Sequence, residues 1–229
     1  MKTYPVPTFT EAFEFLLHID RALAGLTAAH GYAIYGILFA IIFLETGLIV
    51  TPFLPGDSLL FAAGALAATG ALRFDMLLGL LLIAAITGDA VNYGAGRLLA
   101  RRVLARDKLP FVNQRHLDRT QDFYRRYGAP VLVFGRFVPI VRTFAPFVAG
   151  VAAMPWRRFT LYNFAGAGAW VLIGLGAGYL WGELPFVKQN FGLVIVAVVF
   201  ISTLPGLFGW LYERRKRPLN QLASQETQP

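Results

Sequence analysis

Five ionisable residues stand where the surrounding chain is apolar: Glu45, Asp57, Asp89, Arg136 and Arg142. An ionised side chain at the centre of a bilayer costs about 2.5–3.5 kcal/mol even on the lenient insertion scale. Five such groups persist only if they pair or line a wet cavity. Guanidinium forks match phosphate oxygens two at a time and stay charged at any working pH. Arg136 and Arg142 are therefore candidate phosphate-binding residues, and Glu45 and Asp57 are candidates for proton coupling or charge pairing. Asp89 and Asn92 read as secondary polar positions, with Asp89 foremost a partner that holds helices together. Each group also has a plainer reading. Asp57 follows Pro-Gly and suits an N-cap worth about 1 kcal/mol, and the two arginines suit simple neutralisation of Glu45 and Asp57.

The elements that must position these groups are set by composition. Of 229 residues 56% are hydrophobic and only 15% charged, against about a quarter charged in soluble domains. The net charge is +8, from 21 basic and 13 acidic residues. Nine basic residues fall between Arg97 and Arg126, four between Arg214 and Arg217, and Arg157 and Arg158 sit together. All flank apolar blocks, as positive-inside segments do, so the basic excess reads as orientation and not as a nucleic-acid surface. Segments 97–127 and the tail are expected in the cytoplasm, next to anionic lipid.

The chain has no Cys, which removes disulfides, thiolate metal sites and Cys nucleophiles. Its histidines, His18, His30 and His116, are scattered outside the apolar blocks, and neither a Gly-x-Ser-x-Gly turn nor metal-ligand spacing occurs. The expectation is a protein that is not an enzyme, with no cofactor and no metal.

Residues 1–29 predict an amphipathic interfacial segment, since Glu14, His18, Asp20 and Arg21 interrupt its apolar spacing. A first broken hairpin is expected over about 31–72, interrupted by Pro52, Pro55 and Gly56. A span follows over 76–99, then a basic cytoplasmic segment at 100–127. A second broken hairpin, over about 128–154, carries Pro139 and Pro146 as its breaks. Spans at 159–181 and 186–212 and a basic cytoplasmic tail, 213–229, complete a single membrane domain, 30–212. Trp156, Trp181, Trp210 and Tyr212 fall near expected span ends. Gly94-Ala95-Gly96 late in the first span is echoed by Gly176-Ala177-Gly178 late in the second. The predicted fold is an all-α polytopic membrane protein: an inverted repeat of two re-entrant hairpins with about three full spans, a transporter architecture.

These motifs carry a resemblance. Glu45-Thr46-Gly47 with Pro52, then Pro55-Gly56-Asp57, resembles the first signature of the DedA membrane-protein family. The stretch from Gly135 to Gly150, GRFVPIVRTFAPFVAG, is similar to its second, the core of the VTT or SNARE-associated domain. Gly88-Asp89, Tyr93-Gly94 and Gly96-Arg97 fit between them, so the resemblance covers roughly 30–182. It implies a bacterial inner-membrane protein with two facing re-entrant hairpins, and functional residues at Glu45, Asp57, Arg136 and Arg142. Members are linked to recycling of undecaprenyl phosphate, to proton-motive force and to envelope stress, and eukaryotic relatives scramble phospholipids. Where the family often has Glu this chain has Asp57, which keeps the acid and shortens its reach.

The leading expectation is a translocase for a polyprenyl phosphate or a phospholipid headgroup, the lipid tail staying in the bilayer. A passive scramblase, an ion-coupled transporter and an assembly factor without a substrate are the alternatives, and a homo-oligomer is compatible with all of them. A nucleic-acid partner is not expected.

Overall fold

The computed structural model describes residues 31–48, 56–105, 129–198 and 200. The expected N-terminal segment, the breaks at Pro52 and Pro55, most of the basic segment and the tail lie outside the described residues. Among the described residues every element is helical: α1 (Ala33–Gly47), α2 (Gly56–Ala68), α3 (Phe74–Ala105), α4 (Val131–Phe134), a 3-10 turn (Gly135–Phe137), α5 (Pro139–Val151), α6 (Trp156–Trp181) and α7 (Pro185–Gln189). A further helical stretch covers 191–198.

Length separates two kinds of helix. At 1.5 Å per residue α6 is about 39 Å long, more than the ~30 Å hydrocarbon core of a bilayer. Phe74–Arg101 of α3 and all of α6 are long and apolar enough to cross a membrane. The 13-residue α2 and α5 reach only about 20 Å. The expected span from Phe186 is interrupted: α7 ends at Gln189, and Asn190, with φ −123° and ψ 36°, leaves the helical region before helix resumes.

The two long helices are turned inside out relative to a soluble core. On α3, Asp89 and Asn92 are buried, whereas Ile83, Val91 and Leu98 are half exposed. On α6, Asn163 is buried while Leu161, Phe164 and Leu180 face outward. Polar groups inside and an apolar exterior are what a lipid solvent selects.

Each short helix packs on the long helix of the other half of the chain, α2 on α6 and α5 on α3. The two crossings are built alike. A Cβ at Gly64 would fall on the Leu175 carbonyl oxygen and the Tyr179 amide; one at Gly150 would fall on the Tyr93 carbonyl and the Arg97 amide. In return, a Cβ at Gly178 would strike the Phe61 carbonyl and one at Gly96 the Phe147 carbonyl. Gly96 and Gly178 are the third positions of the two Gly-Ala-Gly echoes. Small residues of this kind let helix backbones meet in an apolar solvent, where packing replaces the hydrophobic effect. Both short helices also end in a left-handed turn, at Gly70 (φ +79°) and Ala153 (φ +53°). In each turn the next amide reaches back five residues, Ala71 to Leu66 and Met154 to Ala149, both at 3.1 Å.

The break before α5 lies at Val138, which is extended (φ −117°, ψ 110°) as a residue preceding proline prefers, and Pro139 opens the helix at a position needing no amide. Pro146, expected as a second break, is instead inside α5. The ring removes one backbone hydrogen bond, but the close packing of Phe147 and Gly150 against α3 holds the helix through it.

Candidate functional site

α2 and α5 both begin at the same place. Asp57 lies in the first turn of α2 and Arg142 in the first turn of α5, and Arg142 Nη1 donates to Asp57 Oδ1 at 2.7 Å. Arg142 Nη2 donates to Glu45 Oε1 at 2.6 Å, from the last turn of α1. One guanidinium therefore ties together three elements and two carboxylates. Asp57 reaches the arginine directly, despite being the shorter acid.

Arg136, in the 3-10 turn, pairs with Asp89 of α3, and its Nη2 donates to Asn163 Oδ1 of α6 at 2.9 Å. Its Nη1 is buried with no hydrogen-bond partner among the described residues. Asn163 Nδ2 donates onward to the Ile86 carbonyl at 3.2 Å, linking α6 to α3. Asn92 does the matching task for the other pair, with Nδ2 donating to the carbonyls of Thr143 (2.8 Å) and Thr46 (3.2 Å).

Every acid in the cluster comes from the chain before the basic segment and both arginines from the chain after it. The site exists only where the two halves meet. Arg136, Arg142, Glu45 and Asp89 are buried, whereas the Asp57 side chain keeps 18% exposure. Three carboxylates against two guanidiniums leave one formal negative charge.

Trp170 of α6 has no role assigned from sequence, yet it is central. Its Nε1 donates to Asp57 Oδ1 at 2.7 Å. The guanidinium carbons of Arg142 and Arg136 lie 4.8 and 5.8 Å from its ring centroid, within cation–π range. Asn163 was also unassigned. The legible signal was a polar residue inside an apolar helix, two turns before Trp170 and so on one face with it.

Two details fix the carboxylate of Glu45. A Cβ on Gly56 would land on it, so any other residue opening α2 here must push the Glu45 carboxylate out of its place. The start of α2, with its unspent amides and positive dipole end, is consequently placed against an acid, which is the favourable sign. The start of α5 carries the cation Arg142, the unfavourable sign, which its two acid partners offset.

Among the described residues no group of acidic or histidine side chains could hold a metal ion. Beside the cluster opens a cavity of ≈ 750 Å³ whose lining is apolar except at one end, where Asp57 and Trp170 stand.

Residues 54–180 match the VTT domain family model. Protein DedA of Escherichia coli is 50% identical over 204 residues, which cover 88% of this chain and 93% of the relative. Inner membrane protein YghB of Escherichia coli is 36% identical over 185 residues, covering 78% and 83%. An uncharacterized membrane protein of Mycobacterium tuberculosis is 36% identical over 185 residues, covering 80% and 81%. No solved structure matches the chain.

Proposed function

This chain belongs to the DedA family of bacterial inner-membrane proteins with a VTT domain, and on that premise we propose that it is a lipid-phosphate transporter and not an enzyme. Its substrate class is a polyprenyl phosphate, undecaprenyl phosphate foremost, moved across the cytoplasmic membrane for carrier-lipid recycling. Arg136 and Arg142 grip the phosphate. Glu45 and Asp57 are the anionic groups it must displace.

The observation that carries this reading is Arg142 with both of its terminal nitrogens committed to carboxylates at the meeting point of two helix N-termini. Helix starts and guanidinium forks both favour anionic oxygens, and broken helices aim their positive ends at anionic substrates in transporters. The carboxylates occupy places that phosphate oxygens fit. Arg136 Nη1 adds a donor that is not yet spent among the described residues.

Charge explains the coupling. A phosphate entering a cluster that already carries one formal negative charge at low dielectric is repelled unless a proton enters or an acid swings away. Uptake of a proton by Glu45 or Asp57 frees a fork of Arg142 and cancels the excess in one step. The short α2 and α5, each preceded by a break, are re-entrant arms opening from opposite sides, with α3 and α6 as spans and the C-terminus cytoplasmic.

A structural clasp is the competing reading, favoured by the supply of all acids from one half and both arginines from the other. Proteoliposomes containing labelled polyprenyl phosphate separate the two. Wild type transfers the lipid between leaflets, and Arg142→Ala, present in equal folded amount, does not. Equal transfer by both sinks the transporter reading.

A further inference from the structure

The cavity beside the charge cluster is bounded by α2, the 3-10 turn, α6, α7 and the helical stretch at 191–198. Its ≈ 750 Å³ lies within the roughly 300–1,000 Å³ of single-ligand pockets. Phe61, Phe137, Ile173, Trp181 and Val194 are typical of its walls, and Asp57 is the one charged residue in the lining. A surface that merely faces lipid has no reason to present a carboxylate. Here the carboxylate is the least buried acid of the cluster, held by the Trp170 indole and by Arg142 behind it. On the transport reading, the occupant that fits is an amphiphile, with an apolar body along the walls and an anionic head that replaces Asp57 on Arg142.

We propose that this cavity holds the head-proximal hydrocarbon chain of the transported lipid phosphate, an inference that rests on the transport reading above. The sequence-based expectation that the tail stays wholly in the bilayer is replaced by a chain that enters with its head. Bilayer hydrocarbon is as apolar as the walls, so the cavity acts by packing and by aligning the phosphate with Arg142, not by withdrawing the chain from water. A second copy of the chain or a protein segment in this cavity is the alternative occupant that the test must expose.

The test measures binding to the purified full chain in detergent. The probes are a long polyprenyl phosphate, a short-chain alkyl phosphate and the polyprenol lacking phosphate. Wild type is expected to prefer the long phosphate over the short one by about tenfold or more. Ala177→Trp and Ala197→Trp fill the cavity from different helices. Both are expected to erase that preference while keeping short-chain binding. Leu172→Trp, on an exposed position outside the lining, keeps it. No preference in wild type, or an unchanged preference in both filled variants, overturns the proposal. Failure of the transport reading looks different: the polyprenol binds as well as the phosphate, and Arg142→Ala alters neither.

Fluorescence gives the same decision without a filled cavity. With Trp156, Trp181 and Trp210 replaced by Phe, a phosphate lipid brominated near its head should quench Trp170. Absence of quenching overturns the assignment, and quenching that appears only when the protein is diluted assigns the cavity to a second copy.

Discussion

Trp170 and Arg142 share one atom of Asp57: the indole N–H and a guanidinium N–H each lie 2.7 Å from the same Oδ1. Asp57 is thereby held between the charge cluster and the apolar cavity that it lines. Trp170→Phe keeps a ring under the guanidiniums but removes that donor. A hydrogen bond to a charged group contributes about 1.5–3 kcal/mol, so leaflet transfer should fall markedly in Phe and further in Leu, which also loses the cation–π contact of about 0.5–2 kcal/mol. Transfer rates in proteoliposomes for the two variants check the order.

Removing one member of the Arg142 cluster should damage folding, and removing all of it should not. Arg142→Ala strands the buried Glu45 and the part-buried Asp57, and loss of one partner of a buried pair costs about 3–5 kcal/mol. Arg142→Met combined with Glu45→Gln and Asp57→Asn leaves no stranded charge and should regain most of the thermal stability. Transfer should stay absent in the triple variant. Recovered transfer would mean that the charges are structural only.

The pair between Arg136 and Asp89 is testable by exchange. Asp89→Asn leaves the buried Arg136 without a counter-ion and should lower the melting temperature. Asp89→Arg with Arg136→Asp restores a pair and should restore folding in part. It moves the guanidinium from the 3-10 turn to α3, so transfer should not return.

Gly56→Ala should behave like a lesion of Glu45. Its methyl group would occupy the place of the Glu45 carboxylate, forcing the acid off Arg142 at an overpacking cost of about 1–3 kcal/mol. Matching losses of transfer in Gly56→Ala and Glu45→Gln support the shared cause. A normal Gly56→Ala protein contradicts it.

Coupling to protons has its own signature. Collapse of the proton gradient should slow wild type, while Glu45→Gln/Asp57→Asn should be slow and indifferent to the gradient. Wild-type indifference points to a passive scramblase.

Much of this protein was determined by the sequence alone. Apolar blocks with few charges require a membrane, because lipid tolerates only helices whose backbones are internally satisfied. The cost of a lone charge in lipid singled out Glu45, Asp57, Asp89, Arg136 and Arg142 before any contact was known. Pro139 marked a break through proline sterics that act locally.

Other features depended on distance in space. Which acid meets which arginine follows from the crossing of α2 on α6 and α5 on α3, set by Gly64, Gly178, Gly96 and Gly150 between residues more than fifty positions apart. Pro146 reads as a break by local rules, and only packing on α3 keeps it helical. Trp170 and Asn163 looked like ordinary span residues because their roles lie in partners on other helices. Local chemistry names the charged groups; the meeting of the two halves decides how they pair, since a guanidinium's partners are chosen by geometry across the fold.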